Sequence, residues 1–125
     1  MGEGMLKGRV LVVDDDPDII DFLEGALEDA GYLVLAAVGA EALGVAHETQ
    51  PDVILLDINM PGMNGVEVSQ RLRDNPVTAD IPIVVMSAQD HLRTTGALMP
   101  VNDRLPKPFE LARLYEVVAR WVPAA

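Results

Sequence analysis

Short apolar runs alternate along the chain with amphipathic stretches. Four runs have the length of β-strands: Arg9–Val13, Tyr32–Ala36, Val53–Leu56 and Ile81–Met86. A fifth and much weaker candidate strand is the short run Arg104–Leu105. A continuous apolar run of this length is typical of a strand that is buried on both faces. The pattern therefore predicts a parallel sheet with helices on both sides.

The segments between the runs carry the spacing of amphipathic helices. Helices are predicted at Asp18–Ala30, Ala40–Glu48, Gly65–Asp74 and Glu110–Val122, with a further one of poor pattern at His91–Met99. Gly31 follows the first helix, where a helix-ending glycine belongs. The apolar stripe of that helix consists of Ile19, Ile20, Leu23, Leu27 and Ala30. The last helix has a similar stripe: Leu111, Leu114, Val118, Trp121 and Val122.

Alternating strands and helices of this length define an α/β fold. Because crossovers between parallel strands are right-handed, we expect a flavodoxin-like doubly wound sheet of five strands in the order 2-1-3-4-5. The chain shows no internal repeat and no linker, so residues 1–125 are predicted to form a single domain with its core at about residues 9–122.

Composition fits one such domain and excludes several classes of protein. The chain has 125 residues, 50% of them hydrophobic, and no cysteine, which excludes disulfides, thiol catalysis and cysteine-zinc sites. No apolar run approaches the roughly 20 residues that cross a bilayer, and the first residues do not form a signal peptide. We therefore expect a cytoplasmic protein without a membrane partner. The net charge of −11 argues against direct binding of nucleic acid.

Acidic residues follow two strands that the predicted order makes neighbours. Strand 1 runs into Asp14, Asp15 and Asp16, and strand 3 runs into Asp57. Ligands of such sheets bind beyond the carboxyl ends of the strands, at the point where strands 1 and 3 meet. Asp16 has a simpler explanation as the N-cap before Pro17. The sequence thus places three carboxylates in one crevice.

Three carboxylates that repel one another call for a cation. No His or Cys accompanies them, which favours a hard, oxygen-seeking ion, and Mg²⁺ fits better than Ca²⁺ because it accepts few protein ligands and keeps its waters. Lys107 ends the fifth strand, and Ser87 ends the fourth. Such a set can hold a phosphoryl group, with Asp57 as the nucleophile that forms an aspartyl phosphate.

Four segments carry a family resemblance: "VLVVDDDPDI", "DVILLDINMPGMNG", "IPIVVMSA" and "LPKPF". In this order, from about Arg9 to Val122, they resemble the receiver domain of two-component response regulators, and among these the chemotaxis regulators. The resemblance implies a signalling domain that takes phosphate from a phosphohistidine on a sensor histidine kinase or a phosphotransfer protein. The domain would then change its surface to regulate a downstream protein, and would catalyse only its own phosphorylation and dephosphorylation.

The same resemblance implies a role for each residue of the crevice. Asp57 would be the phosphoacceptor, and Mg²⁺ would be held by Asp14, Asp15, Asp57 and the backbone carbonyl of Asn59. Ser87 and Lys107 would contact the phosphoryl group, and the Lys107–Pro108 peptide bond would be cis.

Each supporting residue also has a plainer interpretation. Lys107 alone would be a solvated surface lysine, and Ser87 alone a hydroxyl that bonds the backbone at a strand end. His47 and His91 are isolated and are interpreted as surface residues.

Three other functions are compatible with parts of the pattern. A receiver-like docking module would work without phosphorylation, but it would not need the full set of acids. A small aspartate-nucleophile phosphatase usually carries a second acid where this chain has Asn59. A flavodoxin-like carrier needs small hydroxylic residues in its first loop, where "DDDPD" would repel a flavin phosphate.

The resemblance fails at one side of the predicted site. Receivers usually carry an aromatic residue three positions before the lysine, and this chain has Arg104 there. Arg104 cannot enter an apolar slot cheaply, so we expect it at the surface. The segment "TTGALMPVND" suits a helix poorly, because β-branched residues, a Gly and a Pro interrupt it. The helix at His91–Met99 is therefore predicted to be short, distorted or mobile.

Overall fold

A computed structural model of the protein describes residues 6–58, 65–88 and 101–122. Within these ranges five strands form one sheet: β1 (Arg9–Val13), β2 (Leu33–Ala37), β3 (Val53–Asp57), β4 (Ile83–Ala88) and β5 (Asp103–Lys107). The described helices are α1 (Pro17–Asp29), α2 (Glu41–Thr49), α3 (Gly65–Asp74) and α4 (Leu111–Trp121). All neighbouring strands are parallel, in the order β2-β1-β3-β4-β5. The predicted α/β fold and strand order are confirmed.

The helices cover the sheet on both faces, and β3 is buried along its whole length. One face packs against α2 and α3 through small and branched side chains: Ala42, Ala46, Val68 and Leu72. The other face packs against α1 and α4: Leu23, Leu27, Leu114, Val117 and Val118. Removal of this apolar surface from water is the main force that holds the layers together.

Helix α1 begins and ends as its sequence predicts. Asp16 is the N-cap, and its Oδ1 accepts a hydrogen bond of 2.9 Å from the N–H of Asp18, with Pro17 as the first helical residue. After the C-cap at Ala30, Gly31 adopts a φ of 100°, in the left-handed region that ends many helices. The cap interpretation of Asp16 is confirmed.

The last two strands differ from the predicted ranges. β4 begins at Ile83, not Ile81, because Pro82 has no N–H to donate to the ladder. β5 has five residues, where only Arg104–Leu105 was predicted, since its polar residues and Pro106 hide the strand. β5 lies at the edge of the sheet, where such residues are tolerated.

Helix α4 corrects one part of the predicted stripe. Leu111 is 44% exposed, whereas Val117, which the stripe omitted, is fully buried. Leu111 is the first residue of the helix and lies beyond the packed turns. Trp121 is half-buried, and its Nε1 donates a hydrogen bond of 2.9 Å to Oδ2 of Asp103.

Asp103 ties β5 to the end of α4. Its Oδ2 also accepts from Nη1 of Arg120 at 2.5 Å, and its Oδ1 accepts from the backbone N–H of Arg104 at 2.8 Å. Burial works to raise the pKa of this carboxyl. The hydrogen bonds from Trp121 and the Arg104 backbone, together with the charge of Arg120, outweigh burial, and the pKa of Asp103 lies below its ordinary value.

This shift predicts a pH dependence of stability. Because the pKa of Asp103 is lower in the folded protein than in the unfolded chain, ionised Asp103 stabilises the fold above the unfolded value of about 3.9. That contribution is lost as the pH falls through the folded value. Denaturant unfolding from about pH 5 downward should show a steeper loss for the natural protein than for Asp103→Asn. Asp29→Asn, a change at an exposed acid of α1, serves as the control. Equal slopes for the natural protein and Asp103→Asn would contradict the expectation.

The other sequence predictions concern surface residues, the helix at His91–Met99 and membrane spans. Arg104 is exposed, as expected, and His47 is exposed on α2. The helix predicted at His91–Met99, with its expected short or mobile character, lies outside the described residues, as does His91 itself. Among the described helices, none has both the length and the apolar character needed to cross a membrane.

Candidate functional site

Three acids converge at the carboxyl ends of β1 and β3. Asp57 is the last residue of β3, and Asp14 follows β1 directly; they are 5% and 1% exposed. Asp15 is exposed beside them. One carboxylate oxygen from each of the three lies within 4.8 Å of the others. The strand order therefore brings together the acids that the sequence predicts at this crevice, whereas Asp16 is the N-cap of α1.

The carboxylate of Asp14 is held at both oxygens. Its Oδ1 accepts a hydrogen bond of 3.0 Å from the N–H of Asp16, and its Oδ2 lies 3.4 Å from Nζ of Lys107. The backbone N–H of Asp14 donates to the carbonyl of Ala37 at the end of β2. These contacts orient a nearly inaccessible carboxylate toward the crevice.

Lys107 reaches the same crevice from the edge of the sheet. Its Nζ lies 3.6 Å from Oδ1 of Asp57, and so bridges the carboxylates of Asp14 and Asp57. The plainer interpretation of Lys107 as a solvated lysine is thus wrong. The Lys107–Pro108 peptide bond is cis, as the resemblance implies. One ammonium group against three carboxylates leaves the cluster negatively charged.

The start of α3 supports the backbone of Asp57. The N–H of Gly65 donates to the carbonyl of Ile58 at 2.9 Å. A Cβ at Gly65 would lie 2.5 Å from the carbonyl oxygen of Asp57 and 2.7 Å from Cα of Ile58, closer than side-chain carbons come to backbone. Only glycine fits this approach. Sequence reasoning placed Gly65 at a helix start but missed this contact, for which the only local signal was a Gly after the loop.

Two predicted members of the site are described in part or not at all. Ser87 lies in β4, one residue beyond Met86, the register partner of Asp57, so its backbone is at the correct edge of the sheet. The role predicted for the Ser87 hydroxyl stays a prediction. Asn59, predicted to offer its carbonyl to a metal, lies outside the described residues.

The donor set of the cluster suits Mg²⁺. The atoms that converge are carboxylate oxygens, two of the three acids are buried, and neither His nor Cys belongs to the cluster found in the described ranges. A hard divalent ion with oxygen ligands matches this chemistry and would offset the excess negative charge.

Comparisons with known proteins identify the class. Residues 10–119 match the response regulator receiver domain, and the chain belongs to that family. The protein is thus a receiver domain of two-component response regulators, a signalling domain. The resemblance stated from the four sequence segments is confirmed.

Two curated relatives illustrate the match. The transcriptional regulatory protein PrrA of Mycobacterium tuberculosis is 47% identical over 125 residues, which cover 96% of this chain and 51% of that protein. The DNA-binding dual master transcriptional regulator RpaA of Synechocystis is 39% identical over 109 residues, covering 85% of this chain and 45% of that protein. The chain spans about half the length of these relatives.

Solved structures of receiver proteins share the fold. A putative response regulator from Chloroflexus aurantiacus has a TM-score of 0.85 at 34% identity, with 92% of this chain and 97% of that chain covered. The receiver domain of the sensor histidine kinase PA1611 from Pseudomonas aeruginosa has a TM-score of 0.86 at 27% identity, with the same coverage. The second structure holds a magnesium ion in its active-site cleft.

Proposed function

We propose that this receiver domain accepts a phosphoryl group on Asp57 in a reaction that needs Mg²⁺. The observation that carries the proposal is the buried carboxylate at the end of β3, with Asp14 and Asp15 within 4.8 Å and the ammonium of Lys107 at 3.6 Å. The donor is a phosphohistidine on a sensor histidine kinase or a phosphotransfer protein, and the phosphorylated domain regulates a downstream protein.

The transfer requires little covalent chemistry from the protein. An Oδ of Asp57 attacks phosphorus, the bond between phosphorus and the donor nitrogen breaks, and its electron pair returns to the imidazole. Lys107 lies where its ammonium can bind an oxygen of the transferred group, and we assign the same task to the hydroxyl of Ser87. Asp14, Asp15, Asp57 and the carbonyl of Asn59 would hold Mg²⁺, which supplies positive charge for the phosphoryl oxygens.

Intact-mass measurement with a small phosphodonor tests the function. With Mg²⁺ and acetyl phosphate, Asp57 attacks phosphorus, acetate leaves, and the protein gains the mass of one phosphoryl group. Chelation of the metal should prevent the gain. Folded natural protein that keeps its mass with Mg²⁺ present would refute the proposal and favour a docking module that works without phosphorylation.

The metal proposal predicts a stability response that separates two neighbouring acids. Mg²⁺ at a hundredfold excess over its dissociation constant should raise the free energy of unfolding by about 2.7 kcal/mol. Asp15→Ala should remove most of this rise, since it deletes a ligand. Asp16→Ala is the matched control: it deletes the helix cap and costs about 1 kcal/mol of stability, but keeps the response to Mg²⁺. Denaturant unfolding with and without Mg²⁺ measures both, and the reverse pattern would show that the two acids are wrongly assigned.

The same proposal sets limits on activity and partners. We propose that residues 1–125 form one receiver domain, which catalyses only its own phosphorylation and dephosphorylation, acts in the cytoplasm and has no membrane partner. Both relatives are named as transcriptional regulators, but the chain spans about half of each. We propose that this part of the chain does not contact nucleic acid, because its net charge of −11 would repel phosphates.

A further inference from the structure

Asn102 joins the start of β5 to the start of β4. Its backbone N–H donates to the carbonyl of Ile83 at 2.9 Å, and its Oδ1 accepts from the N–H of Ile83 at the same distance. A single residue thus holds both backbone groups of Ile83. The next residue, Asp103, begins the regular pairing of β5 with β4.

Arg73, in the last turn of α3, fixes the orientation of this side chain. Its Nη2 donates to Oδ1 of Asn102 at 2.6 Å, and its Nη1 donates to the carbonyls of Ala79 and Ile81 at 2.9 and 2.7 Å. One guanidinium therefore holds the connection between α3 and β4 together with Asn102, the residue that precedes β5. The planar fork of arginine suits three acceptors in fixed places, which a lysine could not satisfy.

Besides the bonds of Asp103 to Arg120 and Trp121 of α4, β5 has few features that set its register. Leu105 is its one fully buried residue, and Pro106 has no N–H to donate. A strand with one free edge and few buried residues is weakly specified in register, and a slip by one residue turns each side chain to the opposite face. The end of β5 matters chemically, because Lys107 must meet Asp14 and Asp57 there.

We propose that Arg73 and Asn102 form a register clamp, a pair of positioning residues that places Lys107 in the phosphoryl site from the far end of β5. Lys107 lies five positions after Asn102, about 17 Å along the strand. Phe109, two residues after Lys107, packs against the core and so fixes the chain just after the end of β5. Loss of the clamp therefore displaces the ammonium without releasing the strand. This inference rests on the proposed function, in that Lys107 acts on the phosphoryl group.

Asn102→Ala tests the clamp, because it removes the shared oxygen acceptor from an exposed side chain. The rate of phosphorylation by acetyl phosphate should fall by at least about tenfold, since a misplacement of 1 Å can cost about a hundredfold. The affinity for Mg²⁺, which depends on acids after β1 and β3, should not fall. Asn102→Asp keeps an oxygen acceptor and should restore most of the rate. The matched control is Asn75→Ala, which deletes a similar bond to the N–H of Val77 but touches no part of β5.

A double-mutant cycle with Lys107→Met separates positioning from general loss of stability. If Asn102 acts through Lys107, Asn102→Ala should slow the reaction of the natural protein but not that of Lys107→Met. An equal fold-loss in both backgrounds would overturn the inference. So would a loss of Mg²⁺ affinity in Asn102→Ala that matches its loss of rate.

Register can also be measured without phosphorylation. Cross-strand nuclear Overhauser contacts between Met86 and Leu105, which are register partners, should weaken in Asn102→Ala, while those between Leu55 and Val84 stay. Unchanged contacts between Met86 and Leu105 would refute the clamp, even if the natural protein took up no phosphoryl group. Failure of the clamp and failure of the proposed function are therefore distinguishable.

Discussion

Replacement of Asp57 by Asn is expected to abolish uptake of a phosphoryl group. The amide lacks the charged oxygen that attacks phosphorus, while it keeps the shape of the side chain at a position only 5% exposed. The fold should persist, because the change removes one of three mutually repelling charges. Intact mass after incubation with Mg²⁺ and acetyl phosphate measures the result.

A matched control keeps this result interpretable. Asp74→Asn makes the same chemical change at an exposed residue at the end of α3 and should take up phosphoryl like the natural protein. Uptake by Asp57→Asn at the natural rate would show that another residue is the acceptor.

Replacement of Lys107 by Met is expected to slow phosphorylation by about a hundredfold to a thousandfold, the usual cost of losing one group that stabilises developing charge. Methionine keeps the unbranched apolar stem of the side chain but not the ammonium that lies 3.4 Å from Asp14 and 3.6 Å from Asp57. Mg²⁺ should bind equally well or more tightly, because a competing positive charge leaves the site. The rate of phosphoryl uptake and the affinity for Mg²⁺ should thus move independently.

Lys7→Met is the control for this variant. Lys7 lies with its ammonium 5.7 Å from the centre of the Tyr32 ring, and its backbone N–H bonds to Gly31, away from the acids. Its loss should leave the rate unchanged. If Lys107→Met took up phosphoryl at the rate of the natural protein, Lys107 would have no role in the mechanism. The register clamp would then have no catalytic group to position.

The sheet could be predicted where burial dominates the sequence. β1 and β3 are continuous apolar runs, and their observed ranges agree with the predicted ones to within one residue. β5 was underestimated because an edge strand needs only one buried side chain, Leu105, and its other positions are polar or proline. Leu111 was misplaced because periodicity alone cannot tell that the first turn of a helix extends beyond its packed neighbours.

The part of the site that depends only on strand order could be predicted from the sequence. The strand order alone brings Asp14 and Asp57 together, since parallel neighbours end at the same edge. Contacts that depend on the packing of particular residues in three dimensions could not be found this way. The approach of Gly65 to the backbone of Asp57 and the hydrogen bond from Arg73 to Asn102 join residues whose local sequence does not identify the partner.

The most direct test of the central claim is chemical trapping of the acyl phosphate at a single residue. The protein is incubated with Mg²⁺ and acetyl phosphate and then treated with borohydride, which reduces an aspartyl phosphate to homoserine, and the product is digested and sequenced by mass spectrometry. We expect homoserine at position 57 of the natural protein and at no position of the Asp57→Asn variant. Homoserine at Asp14 or Asp15, or none in folded natural protein that has bound Mg²⁺, would contradict this expectation.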